Sequence, residues 1–267
     1  MGAKVFASSR IRGVGYVITL FDQQRGDLLA ILDARDMTAM RTAATSALAA
    51  DHLLPSTPAT VAMLGSGMEA RSHLAAMAAI RPIAEVRVYS PTAENRERFA
   101  EDARREYGVS CRATAVAAEA VDGASLVVGA ARSRDETPVL AGGWLDPAAT
   151  VISIGSTLPE QREVDAHTIE RADLIVADLV AEVTQETGDF IAARASGIHF
   201  DHKVCRLSDL VSGRRARTEH TVAVYKSVGS GLQDIATAEL AYVEASRQGL
   251  AVPLPMALSI KRTPRVG

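Results

Sequence analysis

The stretch Val61-Ala-Met-Leu-Gly65-Ser-Gly67-Met-Glu-Ala70 decides the expected fold of this 267-residue chain. It is an apolar run that leads into Gly-x-Gly-x-x-Ala, with a helix-forming sequence behind it. In such a pattern Gly65 permits a tight turn, Gly67 lets the backbone approach a pyrophosphate, and Ala70 lets helix and strand pack closely. A helix that begins here directs unpaired N–H groups and its positive dipole end at the phosphates. The stretch predicts a dinucleotide-binding turn that includes Ser66, and a purely structural turn is the alternative.

Short apolar runs alternate with helical segments on both sides of this turn. The runs are Val61–Leu64, Glu85–Tyr89, Ala124–Val128, Thr150–Ile154 and Leu174–Val176. Buried strands that alternate with helices are typical of a parallel sheet covered on both faces. The sequence therefore predicts an α/β fold with a Rossmann-type doubly wound parallel sheet over residues 55–232.

A β-rich start and a closing helix flank this predicted sheet. Strands are expected at 4–7, 15–21 and 27–33, with an antiparallel hairpin around the turn at 22–26. A helix is expected from Asp36, as its N-cap, to about Leu53. A long helix is expected from Gly231 to a stop at Gly249. The segment between the strand at 174–176 and this helix is less regular.

Composition excludes several classes of protein. Lys and Arg number 29 against 32 Asp and Glu, the net charge is −3 and the pI is about 6.1, which argues against nucleic acid as a partner. No apolar stretch approaches the roughly 20 residues that span a bilayer. Cys111, Cys205 and the histidines lack metal-ligand spacing, so no metal site is expected. Two isolated thiols and no signal-peptide pattern indicate a cytoplasmic protein.

The residues at the end of the second strand of the predicted Rossmann domain indicate whether the coenzyme is NAD or NADP. An NAD site usually has an Asp or Glu there, which bonds the ribose 2′-hydroxyl. Here the sequence is Tyr89-Ser90-Pro91-Thr92, with Arg96 in the following helix. Ser90, Thr92 and Arg96 could contact a 2′-phosphate, so NADP is favoured over NAD. The alternative is that Thr92 caps the helix and Arg96 is solvated.

Several segments together resemble the ornithine cyclodeaminase/mu-crystallin family. They are Gly2-Ala-Lys4-Val, the Leu32–Ala47 segment with Arg41-Thr-Ala-Ala, the Gly65 loop with Ala70-Arg-Ser-His73, Ile154-Gly155-Ser-Thr157 through Asp165, and Tyr225-Lys226-Ser-Val-Gly229 followed by Gln233-Asp234. The resemblance implies a nicotinamide-dependent protein that acts on amino acids or their cyclic imines. It also implies that the Rossmann domain is inserted in a smaller mixed α/β substrate domain, formed by residues 1–54 and 233–267, and that this substrate domain builds a homodimer.

The resemblance assigns roles to individual residues. Lys4 and Arg41 match the family residues that hold the substrate carboxylate near the nicotinamide, and they are the expected catalytic residues. An Arg fork suits a carboxylate, while Lys supplies a mobile charge and a proton donor. Val228 is expected at the substrate. The further positions expected at the cofactor are Thr19, Arg41, Met68, Glu69, Gly155 and Ser227.

Two departures from the family pattern bear on the reaction. The chain starts close to the Gly-x-Lys motif, so it is expected to be an N-terminally short member that lacks an additional carboxylate-binding Arg. Thr157 stands where ornithine cyclodeaminases place a catalytic Asp, and Thr is not a base near neutral pH. The favoured hypothesis is therefore NAD(P)-dependent hydride transfer that reduces a cyclic ketimine or imino acid, or oxidises an L-amino acid. An ornithine or lysine cyclodeaminase and a non-catalytic, NADP-loaded ligand-binding protein are the alternatives.

Overall fold

A computed structural model describes residues 1–9, 11, 13–131 and 136–254. Their strands are β1 (Gly2–Ser9), β2 (Gly13–Phe21), β3 (Leu28–Asp33), β4 (Ala59–Leu64), β5 (Ile83–Tyr89), β6 (Cys111–Ala113), β7 (Leu126–Gly129), β8 (Thr150–Ser153), β9 (Ala172–Ala177), β10 (Val204–Arg206) and β11 (Val222–Lys226). The helices are α1 (Arg35–Leu53), α2 (Met68–Ile80), α3 (Ala93–Tyr107), α4 (Ala117–Val121), α5 (Ala166–Arg171), α6 (Val180–Glu186), α7 (Gly188–Ala195), α8 (Leu207–Val211) and α9 (Gly231–Arg247). Short 3₁₀ turns cover Gly142–Trp144 and Asp201–Lys203.

The described chain forms two compact units. One consists of Met1–Arg41 and the segment from Ser230 onward, and the other is Thr42–Gly229. The chain thus passes between the units after Arg41 and after Gly229, whereas the sequence places the domain boundaries after residues 54 and 232. The ends of the predicted domains remain a prediction.

The larger unit contains a parallel sheet of eight strands in the order β10-β9-β11-β8-β7-β4-β5-β6. From β4 the chain proceeds outward through β5 and β6, and it then returns to β7 and proceeds the other way. Alternate residues of the central strands enter two apolar clusters, one on each face: Val61 and Met63 on one side, Ala62 and Leu64 on the other. The predicted doubly wound α/β fold is confirmed, and its order reverses between β4 and β7.

The sequence pattern does not predict three strands of this sheet, namely β6, β10 and β11. The segment before residue 231, whose sequence pattern is less regular, contains β10 and β11. β11 lies in the interior of the sheet, between β8 and β9, and all five of its residues are buried. It escapes notice because it is short and ends in Lys226, a residue type that is rarely buried without a partner.

The smaller unit contains an antiparallel sheet in the order β1-β2-β3 and helix α9. The predicted hairpin is present, since the Asp22 carboxylate accepts the N–H groups of Gln24 and Arg25 at 2.8 and 2.7 Å. Ile18 and Leu20 of β2 are buried in one cluster with Ala238 of α9. Ser230 caps α9 through the N–H of Gln233, and Gly249 adopts the expected left-handed conformation beyond its end, with φ of 69°.

The start of α1 corrects one sequence-based expectation. The helix begins at Arg35, so Asp36 lies within its first turn and is not the N-cap. The carboxylate of Asp33 instead accepts the N–H of Arg35 at 3.0 Å. Two acids stand three residues apart here, and the pattern alone does not choose between them.

Cys111 and Cys205 are both free and buried, and burial raises the pKa of the Cys111 thiol to about 12. Across the ranges the structure describes, every helix is too short or too polar to cross a bilayer. Nor do those ranges contain three or more His, Cys, Asp or Glu side chains arranged to hold a metal ion.

Candidate active site

The glycine-rich turn follows the buried end of β4. Gly65 has φ of 124°, and a Cβ atom built on it would lie 2.6 Å from the carbonyl oxygen of Ala130. Its N–H donates to the carbonyl of Tyr89 at 2.8 Å, which fixes the turn against the end of β5. Gly65 is therefore required by the protein itself, through both its conformation and its packing.

Gly67 differs from Gly65 in its surroundings. It occupies the N-cap position of α2 with φ of −79°, which any residue can adopt, and a Cβ built there meets no described atom within 4 Å. Packing of the described residues thus gives no reason for a glycine, whereas close approach of a phosphate does. The N-terminal end of a helix, which α2 presents from Met68 onward, suits an anion because its first N–H groups point out of the helix. The residues present fit the pyrophosphate of a dinucleotide, and Ala70 is buried where helix and strand pack.

The end of β5 brings together three of the residues predicted to contact the ribose. The Ser66 hydroxyl donates to that of Ser90 at 3.0 Å, and Ser90 donates to the carbonyl of Thr92 at 3.3 Å. The guanidinium of Arg96 folds back onto the carbonyl of Ser90 at 3.1 Å. Thr92 occupies the N-cap position of α3 without a side-chain cap bond. A cation and two hydroxyls are thereby gathered where an acid would be typical of NAD sites.

Lys4 and Arg41 converge in the smaller unit on one carboxylate. Lys4 Nζ lies 3.1 Å and Arg41 Nε 2.9 Å from the same oxygen, Oδ1 of Asp234. Arg41 Nη1 also donates to Gln233 Oε1 at 3.0 Å, and Lys4 Nζ lies 4.8 Å from the ring centre of Tyr16. All three ionic side chains are nearly buried, with 9–13% exposed. The described residues thus bring an Arg and a Lys side by side on one carboxylate oxygen, and side chains of these two types also suit a substrate carboxylate.

Asp234 was not among the predicted site residues, although it belongs to a segment that carries the family resemblance. Its position in the sequence explains only a local role, since an acid in the first turn of α9 is favoured by the helix dipole. That position does not reveal partners 230 and 193 residues earlier in the chain. Its role follows only once the strand β1 and the helices α1 and α9 are packed together.

Thr19 is not brought to the Lys4–Arg41 cluster. It pairs with Ala3 across β1 and β2, whereas Lys4 pairs with Ile18. Because neighbouring residues of a strand point to opposite faces, Thr19 and Lys4 lie on opposite faces of the sheet. The Thr19 hydroxyl lies 3.4 Å from the carbonyl of Ala3. A cofactor contact through Thr19 remains a prediction.

The turn after β11 is held by Asp178, a residue that sequence reasoning missed. Asp178 follows β9, and its carboxylate accepts the Ser227 hydroxyl at 2.7 Å and the N–H groups of Val228 and Gly229 at 3.1 and 2.8 Å. Val228 packs against the apolar cluster of the sheet. The predicted cofactor and substrate contacts of Ser227 and Val228 remain predictions.

Gly155 and Thr157 lie in the loop after β8. A Cβ on Gly155 would overlap the Glu163 carboxylate and the carbonyl of Ala131, so a glycine is required there by packing. Thr157 is exposed, and its N–H donates to Gln161 Oε1 at 3.0 Å. The Thr157 hydroxyl is not a base near neutral pH.

His73 of α2 makes one hydrogen bond within its own helix and one to α1. Its Nδ1 lies 2.7 Å from the Glu69 carbonyl and its Nε2 lies 2.9 Å from the hydroxyl of Ser46 in α1. Since a carbonyl only accepts, Nδ1 carries the proton and the Ser46 hydroxyl donates to Nε2. Burial lowers the pKa of His73 to about 4, so the imidazole is neutral at physiological pH and its role is structural.

A model of the ornithine cyclodeaminase/mu-crystallin family matches residues 7–249. The chain belongs to this family. Ketimine reductase mu-crystallin of Rattus norvegicus is 32% identical over 225 residues, which are 84% of this chain and 68% of the rat protein. These comparisons confirm the family that the sequence segments predict.

Two solved structures of the family extend the comparison. Delta(1)-pyrroline-2-carboxylate reductase of Thermococcus litoralis, in complex with NADH and L-proline, has a TM-score of 0.88 at 27% identity, over 95% of this chain and 80% of that one. The probable ornithine cyclodeaminase of Bordetella pertussis Tohama I has a TM-score of 0.83 at 35% identity, over 94% and 80%. This family member is thus placed among nicotinamide-dependent reductases and cyclodeaminases.

The two glycines of the turn should respond differently to the same substitution. Gly67→Ala should change the free energy of unfolding by less than about 1 kcal/mol, because the site has room for a methyl group and an ordinary φ. It should weaken coenzyme binding at least tenfold, because the methyl group occupies the phosphate position. Gly65→Ala should cost about 1–3 kcal/mol through backbone strain alone. Chemical denaturation and calorimetric titration with NADH measure both effects, and a Gly67→Ala protein that binds as wild type would contradict the assignment.

Burial of neutral His73 should make the protein less stable in acid. The unfolded chain binds a proton near pH 6.5 and the folded chain only near 4, so stability is complete above 6.5 and falls as the pH drops from 6.5 to 4. The expected loss is about 3 kcal/mol. Urea denaturation across this range should show a smaller loss in His73→Gln. The exposed His52→Gln is the control, and an equal effect of both substitutions would argue against this account.

Proposed function

We propose that this protein is an NAD(P)-dependent reductase of cyclic ketimines or α-imino acids, which also runs the reverse oxidation of an L-amino acid. The observation that carries the proposal is the convergence of Lys4 and Arg41 on Asp234, because it builds a site for a small carboxylate. The relatives support it, since their names include a ketimine reductase and a pyrroline-2-carboxylate reductase with NADH and L-proline.

The residues divide the work of the reaction between binding and proton transfer. When bound, the reduced coenzyme supplies a hydride to the imine carbon. Gly67 and the first turn of α2 hold its pyrophosphate. Arg41 and Lys4 hold the substrate carboxylate, which fixes the orientation of the C=N bond and so lowers the barrier. Lys4 Nζ then donates the proton that the amine nitrogen gains.

The coenzyme is proposed to be NADP in preference to NAD. Support comes from the end of β5, where Ser90 and Arg96 stand in place of an acid that would repel a 2′-phosphate. The Arg96 guanidinium lies at this loop, where it donates to the carbonyls of Ser90 and Pro91 at 3.1 and 3.4 Å.

Cyclodeaminase activity on ornithine or lysine is the less supported alternative. Ammonia loss and ring closure need a general base, and Thr157 stands at the position where a carboxylate would serve. A coenzyme-loaded ligand-binding protein without turnover is the other alternative, and it shares every binding feature with the reductase. Only an activity measurement separates the two.

The decisive experiment follows the nicotinamide absorbance of NADPH, and then of NADH, with pyrroline-2-carboxylate and piperideine-2-carboxylate. Oxidation of NADPH at the higher kcat/KM is expected. Lys4→Met and Arg41→Met should each raise the KM for the imine about 10- to 100-fold, because each removes a charge-assisted hydrogen bond to its carboxylate. The exposed Arg35→Met, on the same helix as Arg41, is the control and should leave KM unchanged. Coenzyme binding without oxidation of any imine would support the binding protein and defeat the reductase.

A homodimer is proposed to form through the open face of the three-stranded sheet. Val5, Val17 and Ile31 share the face turned away from Ile18 and Leu20, and they are 64, 43 and 50% exposed. A contiguous apolar face of this kind is typical of an interaction surface.

Sedimentation velocity should give twice the 28.2 kDa mass of the chain. Val17→Lys places a charge in this face and should yield the monomer. Val211→Lys, at an equally exposed valine of α8, should remain dimeric. A wild-type monomer at micromolar concentration would refute the dimer, and a dimeric Val17→Lys would place its interface elsewhere.

A further inference from the structure

A group of completely buried polar side chains lies beneath the carboxyl edge of the large sheet. At its centre, Lys226 Nζ donates to Asp189 Oδ2 at 2.8 Å and to the Ser153 hydroxyl at 2.9 Å. Lys226 and Asp189 are both 0% exposed. Burial of an ion pair is costly and is seldom repaid in stability compared with apolar packing. Its presence therefore points to a role in arranging its surroundings.

The ion pair leads to Glu163, which is also completely buried. The Ser153 hydroxyl donates to Glu163 Oε2 at 2.6 Å, and Asp189 Oδ1 accepts the N–H of Glu163 itself at 2.8 Å. Burial raises the pKa of Glu163. Side chain and backbone of this residue are thus both held by the buried group, defined as Ser153, Glu163, Asp189 and Lys226.

Glu163 in turn holds two loops. Its Oε1 accepts the N–H of Ala131, which follows β7, and its Oε2 accepts the N–H of Gly155, which follows β8, both at 3.0 Å. Both strands make room for this carboxylate, because a Cβ on Gly129 or on Gly155 would overlap it. The carboxylate therefore replaces two side chains at this edge and fixes the backbone on either side.

The loops after β7 and β8 lie where the nicotinamide half of the coenzyme is expected. In a doubly wound sheet the dinucleotide lies across the point where strand order reverses, which here is between β4 and β7. The pyrophosphate belongs at the turn after β4 and the adenine ribose at the end of β5. The nicotinamide half therefore extends over the ends of β7 and β8, where Ala131 and Gly155 lie.

We propose that Glu163, secured by Ser153, Asp189 and Lys226, is a positioning residue for the nicotinamide ring of the bound coenzyme. It holds the backbone of Ala131 and Gly155 in the arrangement that receives the ring. The inference rests on the proposed function, because it presupposes that a nicotinamide coenzyme binds at this edge.

The test compares two ligands that differ at the nicotinamide. ADP-ribose retains the adenosine, the pyrophosphate and the second ribose of NADH but lacks the ring. Glu163→Gln leaves one oxygen, so one of the two N–H groups faces an amide donor instead of an acceptor. Calorimetric titration should show NADH binding weakened about tenfold and ADP-ribose binding unchanged within about twofold. In turnover, the KM for the coenzyme should rise by the same factor.

Two further variants keep the test decisive. Ser153→Ala removes the bridge between Lys226 and Glu163 and should change the NADH to ADP-ribose ratio in the same direction, by about threefold; it decides the matter if Glu163→Gln does not fold. Thr150→Val, at an equally buried residue at the opposite end of β8, removes a hydrogen bond from Arg217. This control should lower the Tm without changing the ratio.

The outcomes separate this inference from the proposed function. A ratio that stays at the wild-type value in both Glu163→Gln and Ser153→Ala, or that changes equally in Thr150→Val, overturns the positioning role and leaves the reductase proposal intact. A wild-type protein that binds neither NADH nor NADPH overturns both.

Discussion

Close contact of backbone with backbone at the carboxyl edge of the parallel sheet is the constraint on which the larger unit depends. Gly65 passes against the carbonyl of Ala130, and Gly155 passes against that of Ala131. Neither position has space for a Cβ atom, so the loops after β4, β7 and β8 are locked together through main-chain atoms. Gly67 alone of these turn glycines faces open space among the described residues. The edge is therefore rigid where the protein packs on itself and open where a phosphate belongs.

The buried pair of Lys226 with Asp189 and the cluster of Lys4 and Arg41 on Asp234 are balanced differently. Lys226 is matched by Asp189, and both are completely buried, so this pair satisfies itself. Lys4 and Arg41 share a single oxygen of Asp234 and stay slightly exposed. The Asp234 carboxylate holds the two cations side by side. Such an arrangement is pre-organised for an anion, because the cations need not be gathered when the anion binds.

The sequence predicted the fold where the information is local, and it failed where partners are distant. The turn at Gly65, the hairpin at 22–26 and the end of α9 follow from patterns a few residues long. β11 could not be recognised from its own five residues, because its burial depends on strands β8 and β9 on either side. Lys4 and Arg41 entered through a family resemblance, whereas Asp178 and Asp234 act through contacts about 50 to 230 residues away. Periodicity and propensity carry no information on such contacts.

The hydrogen bonds that the carboxylates of Glu163 and Asp178 already accept limit the chemistry that these groups can perform. Glu163 accepts three hydrogen bonds, and Asp178 holds the turn of Ser227 and Gly229 together. Both carboxylates hold backbone N–H groups, and Glu163 is completely buried, so neither is placed to take a proton from a substrate without breaking those bonds. Thr157 adds no base to this edge. Cyclodeamination needs such a base, whereas imine reduction needs only a proton donor beside the nitrogen. We propose that Lys4, which is anchored by Asp234 yet slightly exposed, is that proton donor.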